Sequence, residues 1–306
     1  MIVLNALFPI FSLLFLGSML RSRGLTTAAF LKTADRLVYY IFFPIMLFWK
    51  VGSAPQGSGD QWQFIGATMV AVVIAFCLSI LLIRILPVAP FQAGTFSQSC
   101  YRFNTYIGVA VIMNSLGSAG IGYYGVMIAM VIPLINVGAV TVLIWYSGVA
   151  ADSREKGRIV LRALLANPLI IGCVLGALFA RFGGGHFPVF IDNSLQLMSM
   201  VTLPLALLSI GGALSFRGVF RHLPLSLVAA AVKLAALPLI GAAVYGWFGV
   251  AGVAWQTGMI FFCLPTSTAI YVLSSQLNSD TELASAAIVI STLLSFAPLS
   301  VVLLLS

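Results

Sequence analysis

Two short polar runs lie inside long apolar stretches of this sequence. The first is Arg102-Phe103-Asn104-Thr105-Tyr106-Ile107-Gly108, followed by Asn114 and Gly117. The second is Leu264-Pro265-Thr266-Ser267-Thr268-Ala269-Ile270-Tyr271, followed by Ser274, Ser275, Gln276 and Asn278. The amides of Asn104 and Asn114 and the hydroxyls of Thr105, Thr266, Ser267 and Thr268 are neutral donors suited to carboxylate oxygens. Gly108 and Pro265 weaken or interrupt a helix and can bring backbone groups to the same place. The plainer alternative is a kinked helix whose Ser and Thr side chains bond back to their own backbone. A third feature is Lys233, ten residues into an apolar run that starts at Leu223. That depth is about 15 Å at helical rise, and an uncompensated charge there must pair, neutralise or face water. Its roles would be charge compensation or coupling, against a structural pair or a snorkelling side chain. Asp280 and Glu282 are the candidate partners.

Other chemistries find little support. His186 and His222 fall in polar connections, so metal or Ser–His chemistry within the apolar runs is not indicated. Cys77, Cys100, Cys173 and Cys263 have no CxxC spacing and read as small packing residues. Gly57-Ser58-Gly59-Asp60 matches the G-x-G-D pattern of intramembrane aspartyl proteases, but it lies in a polar loop without a second deep aspartate. Gly172 and Gly176 have the spacing of tight helix packing. The sequence points to no enzyme, metal site or cofactor.

The elements that carry these residues must be membrane helices. Of 306 residues 61% are apolar and only 7% charged, with a mean hydropathy of +1.12, whereas a soluble surface needs roughly a quarter of its residues charged. The +8 charge does not signal nucleic acid, because the basic residues sit at the ends of apolar runs. Ten runs approach the length of a membrane span, about 20 residues: 3–20, 33–52, 62–86, 97–116, 120–146, 163–181, 194–214, 224–247, 252–275 and 282–305. The first is read as a span and not a cleavable signal, since Arg21 and Arg23 follow it. Twelve basic residues fall on the side of the first, third, fifth and seventh connections, among them Arg84, Arg102, Arg154, Lys156, Arg158, Arg162, Arg217 and Arg221. Only Lys50 and Arg181 fall opposite, so both termini are expected outside the cytoplasm.

The chain also repeats itself. At an offset of 159, Pro9, Gly17 and Gly24 align with Pro168, Gly176 and Gly183. At an offset of 160, Pro44, Leu47 and Gly52 align with Pro204, Leu207 and Gly212. Each half, 1–150 and 151–306, holds five spans, an odd number, so the second copy is inverted. Inverted repeats with discontinuous helices at matching positions are typical of secondary transporters, and spans four and nine carry the polar runs.

RFNTYIG in span four, LPTSTAIYVLSSQLNSD followed by ELASAAIVISTLLS, and YYIFFPIMLF in span two resemble the auxin efflux carrier family, over essentially the whole chain. Its bacterial members are often described as malonate-type or organic-anion permeases. The resemblance implies a ten-helix fold similar to plant auxin exporters and bile-acid-type sodium symporters, with spans four and nine crossing at unwound centres. Spans one, two, six and seven would be a scaffold, also the site of homodimerisation, and spans three to five and eight to ten a moving transport domain. The family's asparagine near the first crossing maps onto Asn104. Its proline after the glycine is absent here, where the chain reads Gly108-Val109-Ala110, so the break in span four is expected at Gly108.

The expected protein is an all-α carrier of the inner (plasma) membrane. It would move a small organic acid by elevator-like alternating access, with H+ or Na+ as coupling ion and the bilayer as its other partner. A channel-like or sensory protein of the same fold is the alternative.

Overall fold

The computed structural model describes residues 2–53, 60–146, 166, 168–183, 186–213 and 219–305, and these are helical almost throughout. Gly57–Gly59 of the G-x-G-D run, the basic residues Arg154, Lys156, Arg158 and Arg162, residues 163–165 and Asn167 of the sixth span, and Arg217 lie outside them. Among the described residues fourteen α-helices follow in order. They are α1 (Ile2–Ser22), α2 (Ala28–Leu37), α3 (Phe43–Gly52), α4 (Asp60–Ile85), α5 (Pro90–Ser99), α6 (Thr105–Tyr146), α7 (Pro168–Phe182), α8 (Val189–Ala213), α9 (Leu223–Ala231), α10 (Leu237–Phe248), α11 (Gly252–Cys263), α12 (Ala269–Gln276), α13 (Thr281–Leu294) and α14 (Phe296–Leu305).

Several of these join end to end. A π-helical turn, Val38–Phe42, links α2 to α3, and another, Val232–Ala236, links α9 to α10. Each precedes a proline at the start of the next helix, Pro44 and Pro238. A proline has no N–H to give and its ring crowds the carbonyl four residues back, so the preceding turn widens. Gly117 interrupts α6 at φ 62, ψ −146, backbone that a side chain would obstruct, and divides it into 105–116 and 118–146.

Among the described residues five stretches are long and apolar enough to cross a bilayer: Gln61–Ile85, Thr105–Tyr146, Val189–Ala213, Leu223–Phe248 and Thr281–Leu305. Leu7–Ser22, Pro168–Phe182 and Gly252–Cys263 are shorter apolar helices. Phe8, Phe15, Leu178, Val189 and Leu304 are exposed on their outer faces, a surface made for lipid. This is a multi-pass membrane protein.

Tight packing is concentrated along two helix pairs. A Cβ on Gly17 of α1 would strike the carbonyl of Leu208 on α8 and lie 3.0 Å from Gly212 N. A Cβ on Gly176 of α7 would lie 2.8 Å from Phe48 O on α3 and 3.2 Å from Gly52 N. Gly172 meets Pro44 in the same way, and Gly211 meets the carbonyl of Leu14. Only hydrogen fits at such distances, so the backbones touch directly.

Candidate substrate site at two helix breaks

Helix α5 shows how the site is held. Residues Ala93 to Ser99 are buried without interruption, although Thr95, Ser97, Gln98 and Ser99 are polar. Thr95 Oγ1 lies 2.7 Å from Ser274 Oγ and 2.9 Å from Ser279 Oγ, and Gln98 Nε2 donates to Ser274 Oγ at 3.1 Å. Ser79 Oγ and Ser97 Oγ are 2.8 Å apart. Ser99 Oγ donates to Thr95 O within the helix at 2.8 Å, and the others have partners on other elements, which is the condition for burying them. The chain leaves the helix at Cys100 and re-enters one at Thr105.

Span four is therefore broken at 100–104, and not at Gly108 as the sequence suggested. It also begins at Pro90, earlier than the apolar run. The break is fixed by Asn104, whose Oδ1 accepts from the N–H groups of Tyr106 (3.1 Å) and Ile107 (3.2 Å) and so caps the N-terminus of α6. Gly108 lies in the first turn of α6, where a Cβ would strike the Tyr124 hydroxyl and sit 2.7 Å from Leu264 Cδ1. Its smallness lets the two broken spans approach.

Span nine breaks at Pro265 as expected. Leu264 is extended (φ −64, ψ 145), the conformation imposed on a residue before proline. Residues 264–268 separate α11 from α12. The two breaks touch, with Asn104 N–H donating to Pro265 O at 2.9 Å.

Four half-helices thus end at one place, and their carbonyl ends are already served. Thr266 Oγ1 donates to Ser99 O at the end of α5 (3.0 Å), and Lys233 Nζ donates to Phe262 O near the end of α11 (2.9 Å). The N-terminal ends of α6 and α12 carry the positive side of the helix dipole. There Asn104, 1% exposed, keeps its Nδ2 without a hydrogen-bond partner. Thr105, next to it in sequence, and Ser267 and Thr268 of the other break are half-buried, while Pro265 and Thr266 are buried. Thr266 is committed to the fold, since its N–H also donates to Ser291 Oγ at 3.1 Å. Ser267 Oγ accepts from Ala269 N–H (3.2 Å).

Lys233 is fully buried in the π-helical turn between α9 and α10. Its partner is the Phe262 carbonyl and neither Asp280 nor Glu282, which corrects the pairing expected from sequence. The two acids lie at the start of α13, where Asp280 Oδ1 caps the helix by accepting from Leu283 N–H (2.9 Å). A proline-induced turn places the ammonium against the carbonyl end of a half-helix, a favourable site for a cation.

Asn114 is not at the breaks. It lies ten residues along α6 from Asn104, about 15 Å at helical rise, and is exposed in a cavity of about 330 Å³ between α1, α3, α6 and α8. Lys50, Gln196 and Ser199 also line this cavity, whose remaining wall is largely apolar, including Ile10, Met46, Met113 and Leu203. Lys50 stacks on Trp49 at 4.0 Å, and Trp49 Nε1 donates to Asp192 Oδ1 at 2.7 Å. Lys50 entered the sequence reading only as a topology marker, because its place beside Asn114 depends on how α3 packs.

Residues 150–303 match the family described as Membrane transport protein, the auxin efflux carriers. A protein of Rhizobium meliloti (strain 1021) named "Putative malonate transporter" is 24% identical over 299 residues, covering 94% of this chain and 91% of that protein. The helical architecture, the lipid-facing surface and this match over half the chain agree, and the protein belongs to the membrane transport family of auxin efflux carriers.

Proposed function

We propose that the protein is a secondary carrier of small organic anions and binds a substrate carboxylate where spans four and nine cross. The observation that carries this is the unpartnered Nδ2 of Asn104. It is a buried donor at the positive ends of two half-helices, and a buried donor left unmade costs about 1–3 kcal/mol. A carboxylate oxygen would relieve that cost, with Thr105, Ser267 and Thr268 completing the donors. The malonate named for the Rhizobium relative fits this chemistry.

The matched glycine contacts support ten spans arranged as two inverted halves. Gly17 against Leu208 and Gly212 becomes Gly176 against Phe48 and Gly52 under the offsets of 159 and 160. Spans one, two, six and seven would then be a rigid scaffold that also pairs two copies, and the remaining spans would move in an elevator-like cycle. On the orientation given by the basic residues, with the termini outside an inner membrane, the cavity of Lys50 and Asn114 opens outward. Anions would reach the crossing through it. Lys233 supplies a fixed positive charge at the α11 carbonyl end, so sodium is not needed there and Lys233 contributes to charge compensation.

Counterflow in proteoliposomes tests the reading. Liposomes loaded with unlabelled malonate should take up labelled malonate transiently, and a panel of dicarboxylates, hydroxy acids and aromatic acids should compete in proportion to affinity. Absence of exchange for every acid would leave a receptor or channel of the same fold.

A further inference from the structure

We propose that His222, Asp280 and Glu282 form a proton-binding site that couples proton movement to transport, an inference resting on the carrier reading above. His222 is buried, with 7% of its side chain exposed, at the N-terminus of α9. One ring nitrogen, Nδ1, lies 3.8 Å from Asp280 Oδ2, and the other, Nε2, lies 3.4 Å from Glu282 Oε2. A carboxylate thus stands at each nitrogen. Neutral imidazole carries a single N–H and no charge, whereas the protonated ring has an N–H at each nitrogen and a positive charge that attracts both carboxylates, Glu282 at hydrogen-bond distance and Asp280 as an ion pair. Binding one proton therefore changes how many carboxylates of α13 are tied to α9.

The surroundings suit a proton and not a metal ion. Among the described residues no three His, Cys, Asp or Glu side chains converge as metal ligands. Among the described residues the titratable and charged groups facing the ring are Asp280 and Glu282, at the start of α13, with Arg221 beside it reaching Glu282 at 4.0 Å. The described face of α5 presents the amide of Gln92, whose Nε2 donates to Asp280 Oδ2 at 3.1 Å. Glu282, 62% exposed, connects the cluster to water, while Asp280 is buried.

From Asp280 the connection runs inward to the helix breaks. Asp280 N–H and Ser279 Oγ both donate to Phe91 O, at 3.1 and 2.8 Å. The hydroxyls of Ser279, Thr95 and Ser274 then lead to Gln98, whose Oε1 accepts from Arg102 Nη1 at 3.5 Å. Arg102 stands two residues from Asn104 in the broken segment. A change in how α13 is held to α9 is thus transmitted to α5 and the substrate donors through side-chain contacts, without a proton travelling the whole way.

The test uses the full-length protein in liposomes with labelled malonate as the probe. Counterflow without a pH difference reports the carrier alone, and accumulation under a pH difference reports coupling. One proton per turnover across about one pH unit supports about tenfold accumulation. We expect that in wild type, with His222→Gln losing the accumulation while keeping counterflow within about twofold, a change of only a few tenths of a kcal/mol. Glu282→Gln, at an exposed side chain, should also lose accumulation and decides the question if His222→Gln does not fold. Counterflow without gradient-driven accumulation in wild type, or full accumulation in a folded variant, overturns the proton site alone. Absence of wild-type counterflow overturns the carrier reading and the site with it.

Discussion

Asn104 uses one end of its amide to cap α6 and leaves the other end free, so alanine is a blunt probe of it. Alanine removes the cap, worth about 1 kcal/mol, together with the donor. Asn104→Asp keeps the capping oxygen and deletes the N–H pair. It should weaken malonate binding by about 5- to 150-fold, the equivalent of 1–3 kcal/mol, with the thermal midpoint of the unliganded protein little changed. Isothermal titration on the purified variant checks this, and unchanged affinity would make Asn104 a cap alone. At Lys233 the corresponding probe is Lys233→Met, which keeps the stem and removes the charge from the Phe262 carbonyl. Transport should fall at least about tenfold, the loss of one charged hydrogen bond of about 1.5–3 kcal/mol, while wild-type uptake proceeds without sodium. Strict sodium dependence with an active Lys233→Met protein would make the lysine structural. The types of both residues were legible as chemistry in the sequence, but their partners were not. A backbone carbonyl leaves no mark on composition, and His222 looked like a loop residue because its two carboxylates lie about 60 positions away.

At the scale of elements, the break at Pro265 was legible because proline constrains the residue before it. The break in span four was misplaced because glycine signals two things, a weak helix or a close approach, and at Gly108 it signals the second. The start of the same span was missed for a related reason. Residues 90–96 precede the apolar run at 97–116, and they are helical within the bundle because Gln92 and Thr95, with Gln98 in the next turn, are matched by residues between positions 274 and 280. A glycine pair separates the two meanings. Gly108→Ala drives a Cβ into Tyr124 and Leu264 and should cost about 1–3 kcal/mol. Gly66→Ala in α4, with no atom within 4 Å of the added carbon, should be neutral or stabilising by up to about 1 kcal/mol. Thermal denaturation in detergent compares them, and equal effects would contradict the close approach of Gly108.

For the whole molecule, the offsets in sequence marked Gly17 and Gly176 as equivalent before any packing was known, and each lies against the backbone of another helix, Gly17 at Leu208 and Gly176 at Phe48. The cavity could not be read in the same way, because Lys50, Asn114 and Gln196 come from three separated segments. Orientation gives a direct prediction for intact cells carrying a cysteine-free background. A cysteine at Lys50 should react with a membrane-impermeant maleimide from outside, and malonate should slow the reaction. A cysteine at Arg221, whose side chain is 81% exposed, should react only after the cells are opened. The reverse pattern would invert the proposed topology.

The polar face of α5 also sets a timetable for biogenesis. Thr95 and Gln98 reach the membrane long before Ser274 and Ser279, which lie 176 to 184 residues later in the chain. At a synthesis rate of about 5–20 residues per second, the nascent half-helix waits roughly 10–35 s with Thr95 Oγ1 and Gln98 Nε2 without these partners. Hydrocarbon penalises such groups by several kcal/mol each, so the insertion machinery has to shelter this segment until the second half arrives. A first half expressed alone should be degraded quickly, and co-expression of the second half should rescue its lifetime in a pulse-chase.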